Sequence, residues 1–204
     1  MKQYTYRMDV YELLRRYANG DRDFGGIDLS GADLSDVDLS GSDLSDADLG
    51  AANLAGANLK RAKLCKTRLR WADLSGANLR VVDLAGSDLS EADLSEADLT
   101  DSNLKRANLL GANLRKAILC NTKLCWTNFV EANLAGANFT RANLTGADLS
   151  WANLSGTILA KANCNRANLR WSDLTRANIA GIRLSLVPTW MVAVSVGLIC
   201  VGLI

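Results

Sequence analysis

From position 24 to position 184 the chain places a large apolar residue at every fifth position without a slip. Twenty-eight of these 33 positions are leucine, and the rest are Phe24, Phe129, Phe139, Cys164 and Ile179. Two residues before each stands Ala, Ser, Thr, Val or Ile, with Arg22 the exception at the entrance, and a mostly polar residue lies between. A continuous α-helix would turn such a series by about 140° per step and leave no apolar face. A continuous strand would send successive leucines to opposite sides, because side chains alternate with period two. The chain must therefore change direction within every repeat, with a very short extended piece that points both the small and the large residue inward.

The corner carries its own pattern. Glycine recurs two residues after the large one, as at Gly31, Gly56 and Gly111, where a type II turn asks for positive φ. Asp36, Arg61 and Trp71 take the same slot elsewhere, so corners of more than one kind are expected. The residue before the large one is mostly Asp or Asn, whose short side chains bond to nearby backbone amides beside a turn. Lys63, Arg68, Ile118, Lys123, Ile158 and Arg183 depart from that preference.

The triplets Ala32-Asp33-Leu34, Ala57-Asn58-Leu59 and Ala152-Asn153-Leu154 resemble the A(D/N)LXX motif of the pentapeptide-repeat family, cyanobacterial members included. The resemblance covers about residues 22 to 186. It implies an all-β fold, a right-handed quadrilateral β-helix with four repeats per coil, hence about eight coils and a rod roughly 40 Å long at about 4.8 Å per coil. Four repeats per coil would stack residues 20 apart, placing Trp71, Trp151 and Trp171 on one face with Glu91, Gly111 and Glu131 between them. That aromatic column is the candidate interaction surface, and mutual stacking between coils explains it as well as docking does.

A stacked β-helix has open ends that need covering. Residues 1–21 form the N-terminal capping segment. Asp9 and Glu12 have capping-box spacing, Met8 can staple against Leu13, and Val10, Leu13, Leu14 and Tyr17 share one apolar face before Gly20, so a short helix is predicted. Residues 187–204 form an apolar C-terminal segment, expected to be helical. No charge occurs after Arg183. Three roles stay open for this segment: a membrane anchor, a buried cap and a contact in a homodimer. With Arg166, Arg170, Arg176 and Arg183 upstream, an inserted segment would keep the repeats on the cytoplasmic side.

Charge and composition narrow the chemistry. Histidine is absent, which removes the usual general base near neutrality and the commonest metal ligand. Five cysteines make no CxxC pair and follow no apolar leader, which points to a reducing, cytoplasmic setting. No ligand set, cofactor motif or catalytic dyad emerges, so no catalytic, cofactor or metal residue is assigned. The net charge is only +1, yet residues 21–50 hold nine acids against Arg22, residues 60–80 seven bases against Asp73, and residues 83–101 seven acids with no base. Such blocks either guide partners or solvate the surface. The reading is a non-enzymatic scaffold or protein-interaction module with an unidentified protein partner. The alternative, drawn from the resemblance, is a DNA mimic that inhibits a type II topoisomerase. That role asks for a broadly negative rod, which the basic blocks interrupt; nucleic acid itself is not an expected partner.

Overall fold

The computed structural model describes residues 6–184; the segment expected to be an apolar helix over 187–204 lies outside the described residues. The five-residue clock closes on itself after four steps. Parallel pairing links each Asx position to the one 20 residues on, as Asp33 to Asn53 and Asn53 to Asp73, and the register holds through Asn163 to Arg183. The chain is thus a four-sided solenoid, with coil 1 at residues 24–43 and coil 8 at residues 164–183. Its faces are named here for their first inward residue: the Phe24, Leu29, Leu34 and Leu39 faces. Pairing involves one residue per repeat, so each side is a single bridge between turns and not an extended strand.

Backbone accounting explains the motif position by position. In the repeat Ala52-Asn53-Leu54-Ala55-Gly56, the Ala52 N–H closes the turn onto Leu49 O at 3.1 Å. Asn53 N–H donates to Ala32 O of the coil before, while Leu54 and Gly56 N–H donate to Asp73 O and Ser75 O of the coil after. The one remaining donor, Ala55 N–H, finds Oδ1 of Asn53 at 3.1 Å. All five donors are used, as a buried or half-buried backbone requires. Asp or Asn is favoured before the leucine because it supplies the fifth acceptor.

The corners differ from expectation. Every corner from Gly26 to Gly181 has positive φ at the same position, including twenty-one non-glycine residues such as Asp36 (57°), Trp71 (59°) and the β-branched Val81 (60°). A Cβ there costs roughly 1–2 kcal/mol. The coil-to-coil ladder imposes it, since the corner N–H must reach the next coil: Trp71 N–H donates to Ser90 O and Val81 N–H to Thr100 O. Tertiary register overrides local preference, and the corners share one handedness of φ where mixed kinds were expected.

The interior is a column of leucines, fully buried at position after position from Leu34 to Leu154. Coil 6 carries Phe129 and Phe139 on opposite faces, and their rings meet edge to face across the lumen at 6.2 Å and 88°. Inward hydroxyls do not go unpaired. Thr67, Thr122 and Thr127 donate to Leu44 O, Leu99 O and Leu104 O of the preceding coil, which removes the cost of burying them.

At the N-terminal end, Met8 N–H and Asp28 N–H exchange bonds with Asp28 O and Tyr6 O, extending the Leu29 face by one partial turn. Helix α1 (Val10–Ala18) then crosses the open end. Asp9 is its N-cap and accepts from Glu12 N–H at 2.7 Å. Glu12 turns to Arg15 and makes a 2.8 Å ion pair, so only half of the expected capping box forms. Leu13 is fully buried over coil 1, Val10, Leu14 and Tyr17 are partly so, and the Tyr17 hydroxyl donates to Ser40 O.

Candidate interaction face

The predicted tryptophan column exists, but it is not one site. Trp151 and Trp171 occupy the same corner of successive coils and stack at 5.4 Å with their planes 16° apart. Both remain more than half exposed, at 60% and 56%. Trp71 lies four coils earlier, about 19 Å away at the usual strand spacing. It is clasped locally: its indole N–H donates to Glu91 at 3.1 Å, and the Arg70 guanidinium sits 4.0 Å above the ring and also binds Glu91. These donors, the indole first and Arg70 second, hold the Glu91 carboxyl below its usual range.

Sequence reasoning omitted Trp126, which is exposed on the same side of the rod as the pair. It stands at the opposite edge of the same Leu29 face, one repeat before Glu131 of the tryptophan column, and is 53% exposed. Counting in fives from that column would have found it. Leu110 (39% exposed) and the half-exposed Val130 border the same face. Between the edges runs an amide ladder: Asn128 Nδ2 donates to Asn108 Oδ1, and Asn168 Nδ2 to Asp148 Oδ1, each at 2.9 Å. Coils 5 to 8 therefore present a mostly polar strip edged by two corner columns, one with Arg106, Trp126, Gly146 and Arg166 and the other with Gly111, Glu131, Trp151 and Trp171.

The charge blocks become bands, because each is about one coil long. Coil 4 (residues 84–103) holds Asp88, Glu91, Asp93, Glu96, Asp98 and Asp101 and no base. Coil 5 (residues 104–123) holds Lys105, Arg106, Arg115, Lys116 and Lys123 and no acid. Neighbouring bands pair across the coil boundary, through Arg70–Glu91 (3.1 Å), Arg80–Asp98 (3.0 Å) and Arg115–Glu96 (3.5 Å). Two departures from the Asx preference have the same logic, since Lys63 and Arg68 stand directly after Asp43 and Asp48 in their columns and bind them. Exposed pairs of this kind contribute only about 0–1 kcal/mol each; they join the acidic band of coil 4 to the basic residues of coils 3 and 5 on either side of it.

No arrangement of reactive groups accompanies the strip. Cys164 replaces an inward leucine, and burial pushes its thiol up to about 12. Burial also raises the Cys65 and Cys120 thiols. Among the described residues no cluster of three or more Cys, Asp or Glu is placed to hold a metal ion. A shallow open concavity of about 410 Å³ lies beside the N-terminal segment, lined by Arg7, Asp9, Asp28 and Ser30 among others.

Comparison with known proteins agrees with this architecture. The family model for pentapeptide repeats matches in eight copies over residues 22–50, 42–80, 83–121, 117–156 and 159–187. The chain belongs to the pentapeptide-repeat family, whose fold is the right-handed quadrilateral β-helix. A trypsin-treated form of QnrB1, a plasmid-mediated fluoroquinolone resistance protein, superposes with a TM-score of 0.70 at 22% identity, over 81% of this chain and 86% of that one. HetL, a pentapeptide repeat protein involved in heterocyst differentiation regulation from the cyanobacterium Nostoc sp. strain PCC 7120, is 33% identical over 86% of this chain and 96% of its own, with a TM-score of 0.34. The pentapeptide repeat protein alr5209 of the same Nostoc is 31% identical over 90% of this chain and all of its own, with a TM-score of 0.31. No curated protein matches the chain in sequence.

Proposed function

We propose that the protein is a non-enzymatic scaffold that binds a protein partner along the Leu29 face of coils 5 to 8. The observation that supports this is the exposure of Trp126, Trp151 and Trp171 on one face of a rod whose core is already complete without them. Large aromatics held at a surface by rigid corners offer contact area at little cost in side-chain entropy, the property that enriches them in binding hot spots. The strip between them is mostly amide and aliphatic, with Asp148 its one acid and Arg170 its one base, and so low a charge density suits the centre of an interface, from which charge is usually depleted.

The test is a paired substitution. Trp151→Ala with Trp171→Ala should leave the melting temperature within a few degrees while abolishing recovery of the partner that the wild-type chain retains after in-cell crosslinking. Unchanged recovery of that partner would remove this face from the reading. The topoisomerase-inhibitor alternative is the weaker one: the likeness to QnrB1 concerns the fold, and the basic bands of coils 3 and 5 break the continuous negative surface that imitation of a duplex requires.

A further inference from the structure

One corner column of the rod is its own complement when read from the other end. It runs between the Leu34 and Leu39 faces. Over coils 1 to 4 the column holds Asp36, Gly56, Gly76 and Glu96; over coils 5 to 8 it holds Lys116, Gly136, Gly156 and Arg176. The order of charged residues and glycines mirrors about the midpoint, and the sign of the charge reverses there. Within the chain only the middle of the column is paired, Glu96 with Lys116 at 3.6 Å and with the neighbouring Arg115 at 3.5 Å. Among the described residues the charged groups of Asp36 and Arg176 have no partner. Seven coil steps, about 34 Å at the usual strand spacing, keep them apart in one molecule.

We propose that two copies of the chain pack side by side and antiparallel along this corner and the Leu34 face beside it, about a twofold axis between coils 4 and 5. Such an axis, perpendicular to the rods, sets coil 1 against coil 8 of the second copy and coil 4 against its coil 5, column against column. Asp36 then meets Arg176 at both ends, and Glu96 meets Lys116 in the middle. Each glycine meets a glycine, so no side chain holds the two backbones apart between the charges. At the other edge of the Leu34 face, Trp151 and Trp171 come opposite Ala51 and Gly31, bulk against space. The outward residues between the edges are small on both halves, as at Ser35, Ala55 and Ser75 and at Ala135 and Ser155. The one like-signed pair directly opposed is Asp33 with Asp173, and each carboxylate is already engaged in its own turn by the N–H of Ser35 or Thr175.

The same residues fix the register. A slip of one coil would set Glu96 on Glu96 or Lys116 on Lys116, and a parallel arrangement would set every charge of the column on its own kind. Like charges so juxtaposed reject those alternatives. The contact goes beyond the protein-binding reading and does not rest on it, because the Leu29 face stays open beside the paired Leu34 faces.

Sedimentation equilibrium of the purified full chain over a concentration series tests the proposal. Wild-type protein should dimerise, and the dimer should weaken as salt is added, because its paired charges lie at an exposed edge. Asp36→Arg and Arg176→Asp each reverse a charge that has no partner within the chain. Each should keep the wild-type melting temperature and weaken self-association on the order of tenfold or more. An equimolar mixture of the two variants should recover the wild-type affinity, as a heterodimer in which both end pairs are restored. Wild-type protein that stays monomeric overturns the proposal, as does a mixture that fails to recover. A dimer indifferent to both reversals would place the contact elsewhere and overturn it too. A reversal that unfolds the rod would mean that the charge serves the fold of the single chain, and the proposal would fall.

Discussion

The indole of Trp126 lies across the corner of Gly146, one coil further on, so closely that a Cβ built at 146 would stand 2.5 Å from Cε3. Gly146 is therefore more than a turn residue; it is the floor on which an exposed aromatic rests. Gly146→Ala should displace the ring, and should lower stability by more than the roughly 1–2 kcal/mol set by positive φ alone. Gly31→Ala, at a corner with nothing within 4 Å, should show that smaller cost and leave the tryptophan emission unchanged. Thermal melts and fluorescence of the two variants make the comparison; equal losses would mean that the Trp126 contact carries no weight.

The inward assignment is tested at mid-rod. Leu94 is completely buried, so Leu94→Asp strands a carboxylate among leucines and should abolish the cooperative unfolding transition. Leu94→Ala should cost about 2–5 kcal/mol. Ser95→Asp, one residue on and outward in the same column as Arg115, should shift the denaturant midpoint very little. A severe loss at 95 or a mild one at 94 would put the repeat in the wrong phase.

Acid should loosen the rod through its Asx turns. Burial alone would raise the Asp98 carboxyl, but the Thr100 hydroxyl, the Thr100 N–H and the Arg80 guanidinium outweigh it and hold the value below the ordinary 3.8. Asp33 is lowered first by the Ser35 hydroxyl and then by the Ser35 N–H. A carboxyl whose folded value lies below its unfolded value binds fewer protons when folded. Its stabilisation is complete above the ordinary carboxylate range and is lost as pH falls through the depressed value. Urea midpoints should thus be flat from pH 7 to about pH 5 and fall below about pH 4. Asp98→Asn, which keeps an acceptor for Thr100, should make that fall shallower.

A purified sample added to gyrase should leave supercoiling of relaxed plasmid unchanged. The acidic coil 4 is flanked by basic coils and paired with them through Arg80–Asp98 and Arg115–Glu96. A duplex imitation would have to extend across those bands. Inhibition at concentrations near the enzyme's own would restore the topoisomerase reading to first place.

Most of the architecture was legible because the repeat is written in the residues that build it. Leucine every fifth residue states the inward column, and Asx before it supplies the acceptor for an amide that nothing else reaches. The closure after four repeats was legible only through the family resemblance, since a five-residue period is compatible with other numbers of sides. The uniform corners were hidden because positive φ at Trp71 or Val81 is set by a bond to the next coil, about 19 residues away in sequence, and not by the residue in the slot. The interaction face was half legible. Trp151 and Trp171 fell out of a step of 20, whereas Trp126 needs the face to be known before its edge can be matched to theirs.

The closed register of 20 makes insertions and deletions act as rotations. Adding or removing a whole coil would lengthen or shorten the rod and return every later residue to its own side. Removing a single repeat, for example residues 132–136, would turn everything beyond it by a quarter turn. Trp151 and Trp171 would then cross the Leu29 face to the places of Gly146 and Arg166, in the corner column of Trp126 itself, although no substitution had been made and every leucine still pointed inward. Chain length between two surface residues is in this fold an angular coordinate, and relatives that differ by five residues need not share a binding side even where their motifs align.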